Sequence, residues 1–498
     1  MKASTSSYLR LMRSAITEKI LPELGSADAR RTAGIVLASI DELMKRETVR
    51  PEALAAAIGK GIDVARRLVA RLGEAGMAPD AALLQQLDAF AATCKTQSAP
   101  EALRRNCQSV EDILEAMMLP ALERLMVADT DGHDLAEMLR EAGEWKKGLA
   151  ELQLTPLPAE ATESTASLPL TAEGLRDFLR TCLPNEPDIA VTDFVPLTGG
   201  MTKQTFRFKL KRQDGSIEAL VARKSPLVPL FDVSCFHAHK EFDFTRAVFA
   251  QGYPMPEPLW LARDWSGVSG DFCIMRKVEG SNTGGLFSNS EITERVMLDM
   301  AEALAQLHRM PLEGFRSFIE KHKEVGLFTD TASQSTRRYL NNLIGAWKQI
   351  KKQSNPAEVF LLGWALANIP ENDGPPVPLH GDFTPHNCLW QDGRLTAVLD
   401  WECGDFGDPT IDLAYVRPHI ASRMDWEKFL QHYEQHAGHT INRDSLGYYA
   451  GFLDIRGLIA CNSATTRIDH RETDDIITLN IDYEYAPMYV KMCMDRTA

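Results

Sequence analysis

The sequence lacks an apolar run of about 18 residues, the length that a membrane-spanning helix requires. Its N-terminus also lacks the apolar segment of a secretory signal, so neither secretion nor membrane insertion is expected. The nine cysteines occur singly, with no Cys-x-x-Cys pair and no Cys/His spacing typical of a metal site. This pattern disfavours a disulfide framework and a zinc site, and it favours a reducing, cytoplasmic setting.

Basic residues are also few, since 54 Lys and Arg oppose 69 Asp and Glu for a formal net charge of −15. Nucleic-acid affinity depends on clustered Lys and Arg, so a nucleic-acid partner is not expected. The remaining composition is ordinary, with 44% hydrophobic and 25% charged residues in a chain of 498. Such a chain is expected to fold into two or three globular domains.

The most informative segment runs from His380 to Asn387 and reads His-Gly-Asp-Phe-Thr-Pro-His-Asn. In protein kinases an Asp accepts the proton of the attacking hydroxyl, an Asn downstream in the same loop binds Mg²⁺, and a second Asp joins the metal to the phosphates. Asp382, Asn387 and Asp400 follow this order. Mg²⁺ prefers oxygen ligands, which a carboxylate and an amide supply. The segment therefore predicts an ATP-using phosphotransferase, with Asp382 as catalytic base and Asn387 and Asp400 as Mg²⁺ ligands.

The residues between Asn387 and Asp400 predict a β-hairpin. Two short apolar runs, 388–390 and 395–399, flank an Asp-Gly turn signal at 392–393. Such a hairpin would bring Asn387 close to Asp400, as a shared metal site requires.

Together with Asp400-Trp401-Glu402 and the run from Gly407 to Ala414, this segment resembles the aminoglycoside phosphotransferase superfamily. Within it, the sequence is most similar to phosphotransferase-family domains that are joined in some proteins to acyl-CoA dehydrogenases. The resemblance extends over about residues 170 to 498. It implies an α+β, bilobal protein-kinase-like fold, with a small β-rich N-lobe and a larger helical C-lobe, and it implies ATP and Mg²⁺ as cofactors. It also implies that His380 and Asp412 brace the catalytic loop and that Glu402 supports the metal site.

An ATP-binding lobe is predicted upstream. Apolar residues alternate with basic ones over 206–211, and alternation resumes over 217–221 after an Asp-Gly turn, which predicts a β-hairpin. Arg223 ends the return strand at the position of the kinase cation, and Glu241, on a helix predicted from Ala238, is its expected partner. The residues that the resemblance assigns to phosphate binding are Gly199, Gly200, Thr202 and Lys203.

Two parts of this nucleotide site depend on the resemblance more than on the residues. Lys203 stands where relatives usually carry an amide, and two orientations remain open for it, toward phosphate or toward solvent. The apolar strand that ends near 275 resembles the kinase hinge, whose backbone would bind the adenine edge. The hinge residues are Met275, Arg276, Lys277 and Val278.

The domain organisation follows from periodicity. Residues 1–153 predict a helical bundle, and residues 154–170 predict a linker. The N-lobe with the hinge is expected at 171–280. The C-lobe, with the acceptor pocket, is expected at 281–498. The bundle has three candidate uses: a dimerisation module, which would make the protein a homodimer, a lid or docking surface for a bulky acceptor, or a partner-binding module. His308, near the end of a helix, is predicted to act as a cation against the helix dipole.

We expect an enzyme that moves the γ-phosphate of ATP to a hydroxyl of a small molecule. The resemblance points to a hydroxyacyl-CoA or another catabolic intermediate, or to an aminoglycoside-like antibiotic, and the residues do not choose between them. The alternative is a nucleotide-binding pseudokinase or scaffold with the bundle as its interaction module, against which the retained base and metal ligands argue. A protein kinase is disfavoured, because no Ala-Pro-Glu activation segment follows Asp400.

Overall fold

The computed structural model describes residues 5–46, 51–94, 99–127, 132–152, 168–197, 203–225, 237–282, 292–351, 353–469, 481 and 485–497. The chain divides into two compact units. The first comprises Met1–Ser164, Leu343–Ile369 and Asp454–Ala498, and the second comprises Thr165–Asn342 and Pro370–Leu453. An internal segment and a C-terminal segment thus group with the N-terminal helices, whereas the domain limits drawn from the sequence remain a prediction.

The described residues form sixteen α-helices. In chain order they are α1 (Thr5–Ala15), α2 (Ala27–Arg46), α3 (Pro51–Glu74), α4 (Ala81–Thr93), α5 (Pro100–Val127), α6 (His133–Glu151), α7 (Ala172–Cys182), α8 (Ala238–Ala250), α9 (Glu294–His308), α10 (Arg316–Lys321), α11 (Ala332–Ile350), α12 (Pro356–Ala367), α13 (Thr410–Ala421), α14 (Trp426–Ala437), α15 (Ser445–Asp469) and α16 (Ala486–Arg496). Among these helices, none combines the length and the apolarity that crossing a membrane would require.

The nine described strands form one large sheet and two small ones. They are β1 (Ala190–Leu197), β2 (Gln204–Lys211), β3 (Ile217–Lys224), β4 (Pro258–Ala262), β5 (Phe272–Arg276), β6 (Val377–Leu379), β7 (Cys388–Gln391), β8 (Arg394–Val398) and β9 (Asp405–Gly407). The large sheet has the order β1-β2-β3-β5-β4 with antiparallel neighbours, and β6 pairs with β9 and β7 with β8. The predicted α+β class, with a β-rich lobe, is confirmed.

The first unit is a helical bundle in which α12 packs against α5 and α6, and α3 packs against the same two helices. The apolar stripe of α5 is fully buried at Leu114, Met118 and Leu122. Burial at this spacing is what a 3.6-residue period produces when one helix face meets its neighbours. Helix–helix packing therefore explains why this region of the sequence reads as apolar stripes.

The second unit is built on the five-stranded sheet. Alternate residues of β2 and β3 point to one face, where Phe208 and Leu220 pair in register and are buried. Helix α7 covers this face with Leu175 and Phe178. The side chain of Thr171 begins that helix by accepting a hydrogen bond from the main-chain N–H of Gly174 at 3.1 Å. The opposite end of β3 carries Arg223 toward the candidate site.

Candidate active site

The predicted catalytic loop lies between β6 and β7. The Nδ2 group of Asn387 donates to the main-chain oxygen of Asp382 at 2.9 Å and to its carboxylate Oδ2 at 2.8 Å. Both of these partners are acceptors, so the amide nitrogen is the atom committed to Asp382. The amide oxygen of Asn387 is thereby left as the atom that can bind a cation.

The predicted hairpin is present and joins the two expected metal ligands. Strands β7 and β8 pair antiparallel. The main-chain N–H of Leu399 donates to the main-chain oxygen of Asn387 at 2.7 Å. Asp400 follows directly with a positive φ of 63°, a conformation that non-glycine residues adopt at a cost of about 1–3 kcal/mol. The end of the β7–β8 hairpin therefore holds Asp400 in an unfavourable backbone conformation close to Asn387.

Asp412, near the start of α13, braces the catalytic loop. Its Oδ2 accepts the main-chain N–H of His380 at 2.8 Å, and its Oδ1 accepts that of Gly381 at 2.7 Å. The ring of His308 lies 3.1 Å from Oδ2 through Nε2 and 2.8 Å from the hydroxyl of Tyr433 through Nδ1. His308 is buried in the last turn of α9 and takes part in this brace, whereas its predicted role as a helix-terminal cation stays a prediction.

Arg223 links β3 to Asp400, one of the two predicted metal ligands. Its Nη1 donates to Glu241 Oε1 at 2.8 Å, and its Nη2 donates to Asp400 Oδ1 at 2.6 Å. The predicted pairing of Arg223 with Glu241 is therefore present, with Asp400 as an additional partner. A guanidinium suits this position because its planar fork donates to two carboxylates at once.

Lys203 is buried in the same cluster instead of facing solvent. Its ammonium group pairs with Glu241 Oε2 and lies 3.4 Å from Glu402 Oε2. With Arg223 and Asp400, these residues place two cations among three carboxylates. The orientation toward solvent that the sequence left open is thus excluded.

The sequence model of the phosphotransferase enzyme family matches residues 193–449. This stretch contains every side chain of the candidate site described so far. The chain belongs to this family.

Several relatives carry a related region within longer proteins. Acyl-CoA dehydrogenase family member 11 of Gallus gallus is 31% identical over 265 residues, which cover 49% of this chain and 30% of the relative. The protein of the same name from Mus musculus is 29% identical over 277 residues, covering 53% of this chain and 33% of the relative. The chain thus spans about a third of the length of the curated relatives it matches.

Two solved structures are also similar. Aminoglycoside phosphotransferase APH(4)-Ia aligns with a TM-score of 0.42 and 19% identity, covering 66% of this chain and 100% of that one. The macrolide 2′-phosphotransferase MphH from Brachybacterium faecium aligns with a TM-score of 0.40 and 18% identity, covering 61% of this chain and 96% of that one.

Burial and neighbouring charges shift the pKa values of three carboxyl groups in the candidate site. Burial raises the pKa of Asp382, and the negative charge of Asp400 raises it further. Burial also acts on Asp400, but the positive charges of Arg223 and Lys203 outweigh it, so the pKa of Asp400 lies below its ordinary value. Burial and the charge of Asp400 together raise the pKa of Glu402 to about 7. Three neighbouring carboxyl groups thus differ in how readily they take up a proton.

The oxygen donors present fit a divalent cation such as Mg²⁺. Asn387 offers an amide oxygen and Asp400 a carboxylate, and the hydrogen bond from Leu399 to Asn387 keeps them adjacent. The negative charge of Asp400 raises the pKa of Asp382, so the two carboxylates repel each other. A cation between these groups would relieve that repulsion.

The remaining predicted nucleotide contacts are only partly described. Gly199, Gly200 and Thr202 lie outside the described residues. At the predicted hinge, the main-chain N–H of Arg276 donates to Glu257 at 2.9 Å, and that of Lys277 donates to Ala219 at 3.0 Å. These two N–H groups already donate hydrogen bonds within the protein.

The hinge side chains also make contacts within the protein. The Arg276 guanidinium pairs with Glu257 and Glu218, and the Lys277 ammonium pairs with Glu279. Adenine binding through Met275 and Val278 stays a prediction.

The sequence did not indicate Tyr415, which also acts on Asp382. Tyr415 lowers the pKa of Asp382 through a hydrogen bond to its side chain, and His386 has a smaller effect on that pKa. Burial lowers the pKa of His419 to about 4. Tyr415 stands three residues after Asp412, so it lies one helical turn along α13 from the brace, and this spacing is the signal that would have found it.

Proposed function

We propose that this chain is an ATP- and Mg²⁺-dependent phosphotransferase that moves the γ-phosphate of ATP to a hydroxyl of a small molecule. The observation that carries the proposal is the joined network of Asp382, Asn387, Asp400, Arg223 and Glu241. In this proposal the network supplies a base, two oxygen ligands for the metal and a cation with its positioning carboxylate. A nucleotide-binding scaffold has no chemical need for a base beside two metal ligands.

The residues of the chain divide the chemical work between them. The carboxylate of Asp382 takes the proton as the O–H bond of the acceptor breaks, the new O–P bond forms, and the bond from the γ-phosphate to ADP breaks. Asn387 orients that carboxylate through its Nδ2 hydrogen bond. Burial makes Asp382 a stronger base than an exposed Asp, because it raises the pKa of that group. Arg223 neutralises charge on the phosphates, with Glu241 fixing its orientation. Mg²⁺ bound to Asn387 and Asp400 would supply further positive charge to the triphosphate.

We propose an acceptor that is neutral or anionic. Besides burial, the groups with the largest effects on the pKa of Asp382 are one carboxylate, Asp400, and the side chains of Tyr415, His380 and His386. A polycationic acceptor such as an aminoglycoside needs several carboxylates to pair with its ammonium groups. The names of the relatives from Gallus gallus and Mus musculus support a hydroxyacyl-CoA as the first acceptor class to examine.

The decisive experiment measures ADP release by the purified chain with Mg²⁺ and ATP. The acceptor panel contains hydroxyacyl-CoAs that differ in hydroxyl position, amino sugars, macrolides and simple alcohols. Asp382→Ala is run in parallel, and Asp392→Asn in the exposed turn between β7 and β8 is the control. We expect phosphorylation of one acceptor class that is lost in Asp382→Ala and retained in the control. Binding of Mg²⁺ and ATP without turnover over the whole panel would instead support the nucleotide-binding scaffold.

A further inference from the structure

A second group of metal-ligating side chains lies apart from the catalytic loop, between α9 and α14. Glu302 comes from α9, and His432 and His436 come from α14. One potential ligand atom from each of the three lies within 4.8 Å of the other two. The two histidines are four residues apart, a spacing that puts both on one face of a helix. The facing helix supplies the carboxylate.

The hydrogen bonds of the two imidazoles suit metal binding. Nδ1 of His436 lies 2.8 Å from the main-chain oxygen of His432, and because a carbonyl only accepts, this nitrogen carries the proton. Nε2 of His436 therefore keeps its lone pair. Metal-binding histidines usually donate their other ring N–H to such a carbonyl or to a carboxylate. Nε2 of His432 donates to Glu302 Oε1 at 3.0 Å, so a metal ion that binds this nitrogen takes the place of its proton.

The arginines near Glu302 are bonded more closely to Asp299, and Arg394 is one of them, with its Nε 2.8 Å from Asp299 Oδ2. Nη2 of Arg295 lies 3.4 Å from Glu302 Oε1, but it lies 2.6 Å from Asp299 Oδ1. Arg295 is therefore mainly a partner of Asp299. The side chains of Glu302 and His432 are 34% and 22% exposed, so a cation can reach the group from solvent.

We propose that Glu302, His432 and His436 form a Zn²⁺ site. Two imidazole nitrogens and one carboxylate match the donors that Zn²⁺ accepts, and three protein ligands leave one position for water. Mg²⁺ and Ca²⁺ prefer oxygen ligands, so the histidines select against them. The cysteine spacings could not indicate this site, because Glu302 and His432 are 130 residues apart.

Zinc at this site ties α9 to α14. Each of these helices also contributes to the brace of the catalytic loop: His308 ends α9, and Tyr433, next to His432, bonds to it at 2.8 Å. Zinc therefore fixes the helix pair that holds His308 against Asp412. The site stabilises this part of the fold, and it takes no part in phosphoryl transfer.

The test is Zn²⁺ binding to the full chain, measured by calorimetry in excess Mg²⁺ so that oxygen-donor sites are occupied. We expect one equivalent of Zn²⁺ to bind and to raise the thermal unfolding midpoint. His436→Gln removes one ligand and is expected to weaken binding about tenfold or more. His439→Gln, an exposed histidine just beyond α14, is the control and is expected to bind as the unaltered chain does.

A second variant and a second metal keep the test decisive if His436→Gln folds poorly. Glu302→Gln keeps the size of the side chain, and it is expected to lose affinity as well. Co²⁺ is expected to give the visible absorption of a four-coordinate site in the unaltered chain and to lose it in Glu302→Gln. Equal Zn²⁺ affinity in the unaltered chain, His436→Gln and Glu302→Gln would overturn the proposal, as would an absence of Zn²⁺ binding.

Discussion

Gly381 lies directly against the carbonyl oxygen of Cys403: a β-carbon added to Gly381 would stand 2.2 Å from that oxygen. Gly381 also has a positive φ of 74°. Gly393, in the turn between β7 and β8, has nearly the same φ, 73°, but nothing lies within 4 Å of its added β-carbon. The two glycines separate the effect of backbone conformation from that of a close backbone contact.

We expect Gly381→Ala to destabilise the second unit much more than Gly393→Ala. The turn variant costs about 1 kcal/mol, the usual penalty for alanine at positive φ. Gly381→Ala adds a clash with a backbone atom that cannot rotate away, so a loss of about 3 kcal/mol or more and a displaced Asp382 are expected. Chemical unfolding of both variants and their ADP-release rates measure this. Equal losses in the two variants would show that the contact with Cys403 does not constrain the loop.

Arg223 is expected to contribute far more to stability and to ATP binding than a surface arginine with similar partners. Arg223→Met leaves the buried Glu241 with Lys203 as a remaining partner and removes the guanidinium from Asp400, whose side chain is 33% exposed, so a loss of about 3 kcal/mol is expected. It also raises the KM for ATP, since a phosphate-neutralising charge is lost. Arg223→Lys restores the charge but not the two-pronged geometry, so an intermediate KM is expected.

Arg443 provides the matched control for this prediction. Its guanidinium also joins two carboxylates, Glu434 and Glu427, but its side chain is 42% exposed. Exposed pairs contribute about 0–1 kcal/mol, so Arg443→Met is expected to change stability by no more than that. The measurements are thermal unfolding and ATP titration of all three variants. A KM for ATP that is unchanged in Arg223→Met would exclude Arg223 from nucleotide binding.

The local features of the site could be predicted from sequence because local chemistry specifies them. The turn between β7 and β8 uses Asp392 and Gly393, both at positive φ as a tight hairpin requires, and an Asp-Gly pair signals that turn by itself. Alternation likewise predicted β2 and β3. Hydrogen-bonded neighbours only a few residues apart leave their pattern in the sequence.

Contacts between distant segments left no such signal. Lys203 pairs with Glu241, 38 residues away, and no spacing rule connects them. His308 was placed correctly at a helix end, but its burial against Asp412, 104 residues away, depends on packing that a single helix does not encode. The same reason explains why α12 was not assigned to the N-terminal bundle: an apolar helix requires a partner but does not specify which one.

Asp412→Asn is expected to lower kcat more than it changes the KM for ATP. The carboxylate accepts the N–H groups of His380 and Gly381, and an asparagine would turn one NH₂ group toward a donor. An unsatisfied buried group of this kind costs about 1–3 kcal/mol, and the loop that carries Asp382 loses its support. The measurement is the separate determination of kcat and KM, together with unfolding.

Asp425→Asn is the control for the brace. Asp425 also accepts a main-chain N–H, that of Glu427 at 3.1 Å, but it is exposed at the start of α14. Asparagine caps helices about as well as aspartate, so this variant is expected to retain activity and stability. A similar fall in kcat in both variants would mean that Asp412 has no special role in positioning the loop.

The pKa of Glu402 predicts a specific pH dependence of stability. Burial and Asp400 raise this pKa from 4.5 to about 7, so between these values the folded state holds a proton that the unfolded state has lost. The stabilising contribution of the group is therefore complete below about pH 4.5 and is lost as the pH rises through 7.

Glu402→Gln cannot titrate. We expect the stability of the unaltered chain relative to this variant to fall across that window, by an amount on the order of a few kcal/mol, and to level off above it. Thermal unfolding at several pH values measures the difference, with Glu279→Gln, at an exposed carboxylate, as the control. A difference between the unaltered chain and Glu402→Gln that stays constant across the window would mean that Glu402 is charged throughout, held so by Lys203 and Arg223.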